Sequence, residues 1–234
     1  NLWLIGATFL LCLFATFVTR SGAVQSVHAF GLSSLGNYFI GFILLLLAIQ
    51  VYLLHKRRQQ INMPQEVGAL LSREASLLLT NLLFVGAAGI VLLGILFPTL
   101  ARAIQGREIS LGAAFYERTV GPLAQIIVLV IGVCPWLPWG GMKSGALWRR
   151  LLPATLAALG VVVALLLLGI RYGPALVAFG VAAFVLVSLL ASTYREVAVR
   201  QRSQRERPMQ ALARLWQKGY RRYGGRIVHL GVVL

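Results

Sequence analysis

Residues 152–191 read LPATLAALGVVVALLLLGIRYGPALVAFGVAAFVLVSLLA, and Arg171 is the one charged residue in the stretch. Each half is an apolar run close to the roughly 20 residues that a helix needs to cross about 30 Å of hydrocarbon. The runs are continuous and do not alternate, which excludes the strands of a transmembrane β-barrel. Backbone N–H and C=O groups must be paired inside lipid, and a helix pairs them within its own segment. Working outward, the same pattern recurs at Leu2–Val18, Tyr38–Leu54, Ser76–Phe97 and Thr119–Leu137. With Leu152–Ile170 and Pro174–Ala191 these make six full spans, and a seventh starts near Ile227. The expected fold is all-α, a polytopic transmembrane helical bundle. Residues 1–234 are expected to form a single membrane-embedded region, part of a larger polytopic protein.

The composition agrees. Of 234 residues, 59% are hydrophobic and 12% charged, with a formal net charge of +16. An ordinary soluble domain has about 25% charged residues, and disorder requires low hydrophobicity. The basic residues fall mainly on one side of the spans. If Asn1 is cytoplasmic, the inner segments 55–75, 138–151 and 192–226 hold 4 + 3 + 10 = 17 Lys and Arg. The outer segments hold five, namely Arg20, Arg102, Arg107, Arg118 and Arg171. Cytoplasmic loops are the basic ones, so segments 19–37 and 98–118 are expected as periplasmic loops and 192–226 as a basic cytoplasmic segment. The net charge is then a topology signal. No aromatic stacking pattern accompanies it, so it is not a nucleic-acid footprint. Met209–Trp216 reads as an amphipathic helix on the anionic lipid of the inner leaflet. The chain opens at Asn1 without a signal-peptide pattern. Only eight residues follow Arg226, too few for a span, so an internal segment of a longer protein is expected.

Few residues can do chemistry. Asp is absent, which removes Ser/His/Asp catalysis and Asp-based metal sites. Cys12 and Cys134 both lie in apolar runs and form no CxxC, so neither a disulfide framework nor structural zinc is expected. No phosphate-binding glycine loop occurs. All six glutamates lie outside the apolar runs, which argues against ion coupling within the spans. Thr80 and Asn81 suit hydrogen bonding between helices. Trp136 and Trp139, at the inner end of the fourth span, suit an interfacial aromatic belt.

Three histidines remain. His229 lies three residues past Arg226 in GGRIVHLGVVL, flanked by Gly224, Gly225 and Gly231. Glycine beside histidine lets a flat group approach a helix, and neutral imidazole is an axial iron ligand. An interfacial histidine bonded to a neighbouring helix is the plainer reading. His28 and Arg20, at the outer rim, could serve a haem iron and a propionate, but a solvated histidine and a snorkelling arginine are the plainer reading. His55 opens the run HKRR and belongs with the inner positive cluster.

Four blocks carry a resemblance: FVTRSGAVQSVHAFG (17–31), SREASLLLTNLL (72–83), GREISLGAAFYERTVGPL (106–123) and GGRIVHLGVVL (224–234). Together they resemble the CcmF family, the membrane haem lyase subunit of system I cytochrome c maturation. The related NrfE variant shares much of the pattern. The resemblance implies two periplasmic histidines that bind haem delivered by the chaperone CcmE, and two membrane histidines that ligate a resident haem b. His28 matches the second periplasmic histidine through SVHAF, and His229 the second membrane histidine through HLGV. The other member of each pair, and a Trp-rich WWD segment, lie upstream in the family. Arg20 is implied as a propionate or partner contact.

The implied activity is addition of apocytochrome c CxxCH thiols across the haem vinyl groups, in the bacterial inner membrane. The implied partners are CcmE, apocytochrome c, thiol-handling CcmH/CcmI-type proteins, quinol as electron source, and membrane lipid. The segment by itself is expected to bind haem weakly and to lack lyase activity. A secondary transporter or haem exporter, and a non-catalytic assembly scaffold, are the competing expectations.

Overall fold

A computed structural model describes residues 2–21, 35–61, 68–107 and 109–233. In chain order they form α1 (Leu2–Ser21), α2 (Leu35–Lys56), α3 (Arg58–Ile61), α4 (Arg73–Gln105), α5 (Ala113–Val133), α6 (Ser144–Leu167), α7 (Gly173–Gln204) and α8 (Pro208–Val233). A 3-10 turn, Cys134–Trp136, follows α5. No strand occurs among the described residues. Six of these helices (α1, α2, α4, α5, α6 and α7) are long and apolar enough to cross a membrane. The protein is therefore an all-α, multi-pass membrane bundle, as the apolar runs require.

Two helices run well past the C-terminal ends of their apolar stretches. α4 continues through Pro98 to Gln105, so its 33 residues span about 50 Å. Proline removes one N–H donor but leaves the rest of the ladder, and membrane helices tolerate that. Consequently segment 98–118, expected as a loop, is helical up to Gln105 and again from Ala113. α7 likewise runs from its apolar end at Ala191 on to Gln204. Segment 19–37 falls largely outside the described residues.

Contacts divide the chain into two compact units, one of Asn1–Glu66 with Ile90–Phe115, the other of Val67–Gly89 with Tyr116–Leu234. In the first, α1 packs on α2. Gly6 permits this approach, since a Cβ there would fall 1.9 Å from the Gln50 side chain. Thr8 and Thr16 donate their hydroxyls to the carbonyls of Leu4 and Cys12, which satisfies both within α1.

The second unit centres on the α6–α7 hairpin, whose turn uses Gly169 at φ +86°. Its core joins Trp136, Leu137, Leu147, Leu151, Ala154, Phe184, Val185 and Leu189. Ser188 ties α5 to α7. Its hydroxyl accepts from Trp136 Nε1 at 2.8 Å and donates to the Gly132 carbonyl at 2.6 Å. Gly132 sits so close to α7 that an added Cβ would lie 2.9 Å from Phe184.

Trp136 therefore corrects the aromatic-belt reading. It is 8% exposed and belongs to the core, because Ser188 supplies the partner that its N–H needs when buried. Trp139 is 63% exposed, as a belt residue would be. Thr80 also departs from expectation. Its hydroxyl donates to the Ser76 carbonyl at 2.8 Å, within its own helix. A helical threonine reaches the carbonyl four residues back without needing a neighbour.

The end of α4 nearest this core is capped. Ser72, 1% exposed, accepts from the Ala75 N–H at 3.1 Å, an N-cap bond. Arg73 N–H donates to the Pro138 carbonyl, and Met142 N–H to the Leu71 carbonyl, both at 3.0 Å. Gly140 N–H donates to Glu74 at 3.1 Å. The start of α4 is thereby fastened to the connection between α5 and α6.

Candidate functional site

Past Ala191 the sequence of α7 turns polar, and Thr193, Glu196 and Arg200 recur at helical spacing along one side. α7 ends at Arg205, which adopts φ 52°, and Pro208 opens α8. Proline suits that position because the first helical N–H has no partner within the helix. α8 bends at Gly219, whose φ of −129° interrupts the helix between its basic first part and its glycine-rich second part.

The second part of α8 returns along α7. Arg226 Nη2 donates to Glu196 Oε1 at 2.7 Å, and its Nη1 donates to Thr193 Oγ1 at 2.9 Å. Tyr223 donates its hydroxyl to Glu196 Oε2 at 2.5 Å, and Arg222 pairs with the same carboxylate. The Arg226 guanidinium also lies over the Tyr223 ring, 5.1 Å from its centre. Arg226 is only 7% exposed, so this charge is buried with its partners satisfied. Burial first, and then the bond to Glu196, push the Tyr223 hydroxyl up to about 12. At the end of α7, the Arg200 hydrogen bond holds the Glu206 carboxyl below the usual range, with Arg214 adding to it.

Beyond Arg226 the helix lies against the apolar part of α7 and α5. Leu230 and Val233 pack on the core, and Val232 and Val233 border Val181 and Ala182. Since Arg226 meets Glu196 while Val233 lines the same cavity as Val181, the second part of α8 runs antiparallel to α7 and descends beside its apolar stretch. Residues 227–233 thus follow the path expected of a seventh span from Ile227.

His229 rides on this stretch and is exposed, whereas its neighbour Leu230 is half-buried against the core. Gly225 lies one turn before it on the same face. A Cβ built at Gly225 would meet no atom within 4 Å. The imidazole therefore has an open flank along one helical turn.

The other candidates are placed on their own elements. Arg20 is exposed in the last turn of α1. His55 is exposed in the last turn of α2 beside Lys56, whose ammonium lies 5.7 Å from the Tyr52 ring. His28 lies outside the described residues. Among the described residues no three His, Cys, Asp or Glu side chains gather into a metal site.

The Glu196 network is what sequence reasoning missed. A signal was available: segment 192–226 carries two acids, Glu196 and Glu206, among ten basic residues. Each acid engages two or more arginines across a helix junction. Nothing in the pattern says which arginine meets which glutamate, because that depends on the bend at Gly219.

The cytochrome c-type biogenesis protein CycK of Bradyrhizobium diazoefficiens is 36% identical over 181 residues, 76% of this chain and 27% of the relative. CcmF of Escherichia coli K12 is 34% identical over 158 residues, 65% of this chain and 24% of the relative. The chain belongs to the CcmF family. The probable cytochrome c-type biogenesis protein NrfE of the same organism is also similar, 31% identical over 161 residues, 69% of this chain and 28% of the relative. This CcmF-family chain spans about a quarter of the length of the curated relatives that it matches. No protein-family model and no solved structure matched. Two of the blocks that carry the CcmF resemblance have visible structural roles. Ser72, Arg73 and Glu74 fasten the start of α4, and Arg226 anchors the turn before His229.

Proposed function

We propose that this chain forms part of a membrane haem lyase of cytochrome c maturation, with His229 as an axial ligand of a resident haem b. The observation that supports this reading is the open flank of α8, where an exposed His229 follows Gly225 by one turn. The residues fit one axial position. A neutral imidazole supplies the lone pair, and the missing Cβ at Gly225 leaves room for a planar ring edge. When bound, haem b supplies reversible one-electron chemistry. The chain's own contribution is orientation. Arg226, held by Glu196 and Thr193, fixes the rotation of the helix and hence the side to which His229 projects.

At the outer surface, His28 is proposed to orient the substrate haem, received from CcmE, with Arg20 facing a propionate or a partner. In the reaction each CxxCH thiol adds across a vinyl C=C. One C–S and one C–H bond form, the S–H bond breaks, and no atom leaves. Apocytochrome c is the acceptor, CcmH/CcmI-type proteins are the proposed source of its reduced thiols, and quinol is the proposed electron source. The excess of basic residues, 17 against five, supports a bacterial inner-membrane setting with Asn1 cytoplasmic.

The test is an optical and pyridine-haemochrome spectrum of the full-length protein in detergent, beside His229→Ala. Sharp b-type bands in the parent and their loss in the variant are expected. A haem-free parent, prepared with ample haem supply, overturns the assignment.

A further inference from the structure

A second site adjoins the Glu196 network and shares Glu196 and Arg222 with it. A pocket of about 440 Å³ is lined by Arg150 of α6, Arg195 and Arg200 of α7, Arg222 of α8, and by Trp136 and Glu196. Two of these arginines are already engaged, Arg200 with Glu206 and Arg222 with Glu196. Arg150 and Arg195 have no carboxylate partner among the described residues. Arg150 Nη1 donates to the Trp136 carbonyl at 3.4 Å, and Arg195 lies 5.9 Å from the centre of the Trp136 ring. Both guanidiniums thus lie against Trp136, and among the described residues no other hydrogen bond from either is found, so most of their donors face the pocket without a protein acceptor.

The depth of the pocket is defined by the helices. Trp136 closes the apolar run of α5, Arg150 directly precedes that of α6, and Arg195 follows that of α7 at Ala191. Three apolar runs end at one level, which is where lipid phosphates lie at the edge of the hydrocarbon. Val199 and Leu215 add apolar wall to the same pocket. An arginine fork donates two parallel N–H bonds to a phosphate and suits it better than an ammonium does.

We propose that this pocket binds the phosphate of an anionic phospholipid from the adjoining leaflet. A zwitterionic lipid brings its own ammonium into an arginine-lined space and is disfavoured. Free phosphate offers the same oxygens but no acyl chains for the neighbouring apolar surface.

The experiment is native mass spectrometry of the full-length protein, extracted from nanodiscs of phosphatidylethanolamine and phosphatidylglycerol in equal amounts. Preferential retention of phosphatidylglycerol by the unaltered protein is expected. Arg150→Gln with Arg195→Gln is expected to weaken that retention roughly 10- to 30-fold. Arg57→Gln with Arg58→Gln removes the same charge from another basic stretch and is expected to leave retention unchanged. Inorganic phosphate at millimolar concentration is not expected to displace the lipid.

Equal retention of both lipids by the unaltered protein overturns the proposal without recourse to any variant. So does unchanged retention in a folded Arg150/Arg195 variant, an equal loss in the Arg57/Arg58 control, or displacement by phosphate alone, which marks a free-phosphate site. The haem spectrum of the parent is read on the same preparations, so failure here and failure of the lyase reading are separate results.

Discussion

Arg226 donates to Glu196 at 2.7 Å, three residues before His229 on the same helix. This bond joins the basic end of α7 to the returning part of α8. It lets a guanidinium that is 7% exposed sit at the head of an apolar stretch, because the carboxylate, the Thr193 hydroxyl and the Tyr223 ring replace the water it has lost. The rotation of α8 is set there, and the side presented by His229 follows from it.

Removing one partner should expose that dependence. Glu196→Ala leaves Arg226 buried without its anion and is expected to destabilise the α7–α8 junction by about 3 kcal/mol. For a chain of this size that lowers Tm by roughly 6–12 °C, measurable by thermal unfolding in detergent. The Glu196→Ala/Arg226→Ala double variant should lose less than the sum of the two single changes. Strict additivity would show that the pair is not coupled.

The tyrosine in this network gives a pH dependence. Tyr223 is raised above its ordinary value of 10 to about 12. Its contribution to the junction is complete below pH 10 and is lost as pH rises through 12, because ionisation places a second anion against Glu196. Alkaline absorbance titration should show a tyrosinate step near pH 12 that Tyr223→Phe lacks. A step of that kind persisting in the variant refutes the assignment.

Ser188 offers a test of the core. Ser188→Ala leaves the Trp136 indole N–H and the Gly132 carbonyl unpaired in a buried setting, at a cost of about 1–3 kcal/mol. Trp136 fluorescence should shift with it, since the indole changes environment. Stability equal to the parent's would mean that water or another group replaces the hydroxyl.

The haem reading predicts a steric effect separable from ligand loss. Gly225→Leu keeps His229 but fills the open flank one turn before it. Haem content per protein, by pyridine haemochrome, is expected to fall at least severalfold in the full-length protein while helicity by circular dichroism stays unchanged. Full haem content in Gly225→Leu would place the ring on another side of α8.

Much of the fold was legible because a bilayer admits so few solutions. Runs such as Leu2–Val18 and Pro174–Ala191 have to be helices, whatever their neighbours. Helix ends were less legible. The apolar run ends at Phe97, yet α4 continues through Pro98 to Gln105, since one lost donor does not end a helix when the remaining ladder is intact. Trp136 read as interfacial because a tryptophan at a span end suits that role. Ser188, which lies 52 positions away, decided otherwise. His229 stood out by its glycines and its distance from Arg226, whereas its anchoring through Glu196 depends on a contact across 30 positions.

The sequence by itself determined that the chain is a bundle of apolar helices, which segments between them concentrate the positive charge, and which histidines merit attention. These follow from the solvent, since lipid excludes unpaired backbone and favours each segment independently of the rest. The tertiary structure alone decided which charges meet. α8 bends at Gly219, returns antiparallel to α7, and puts Arg222, Tyr223 and Arg226 on Glu196 while Arg150 and Arg195 gather around Trp136. Pairing of this kind depends on the angle and register between helices, which side chains distant in the chain set together and no local pattern encodes.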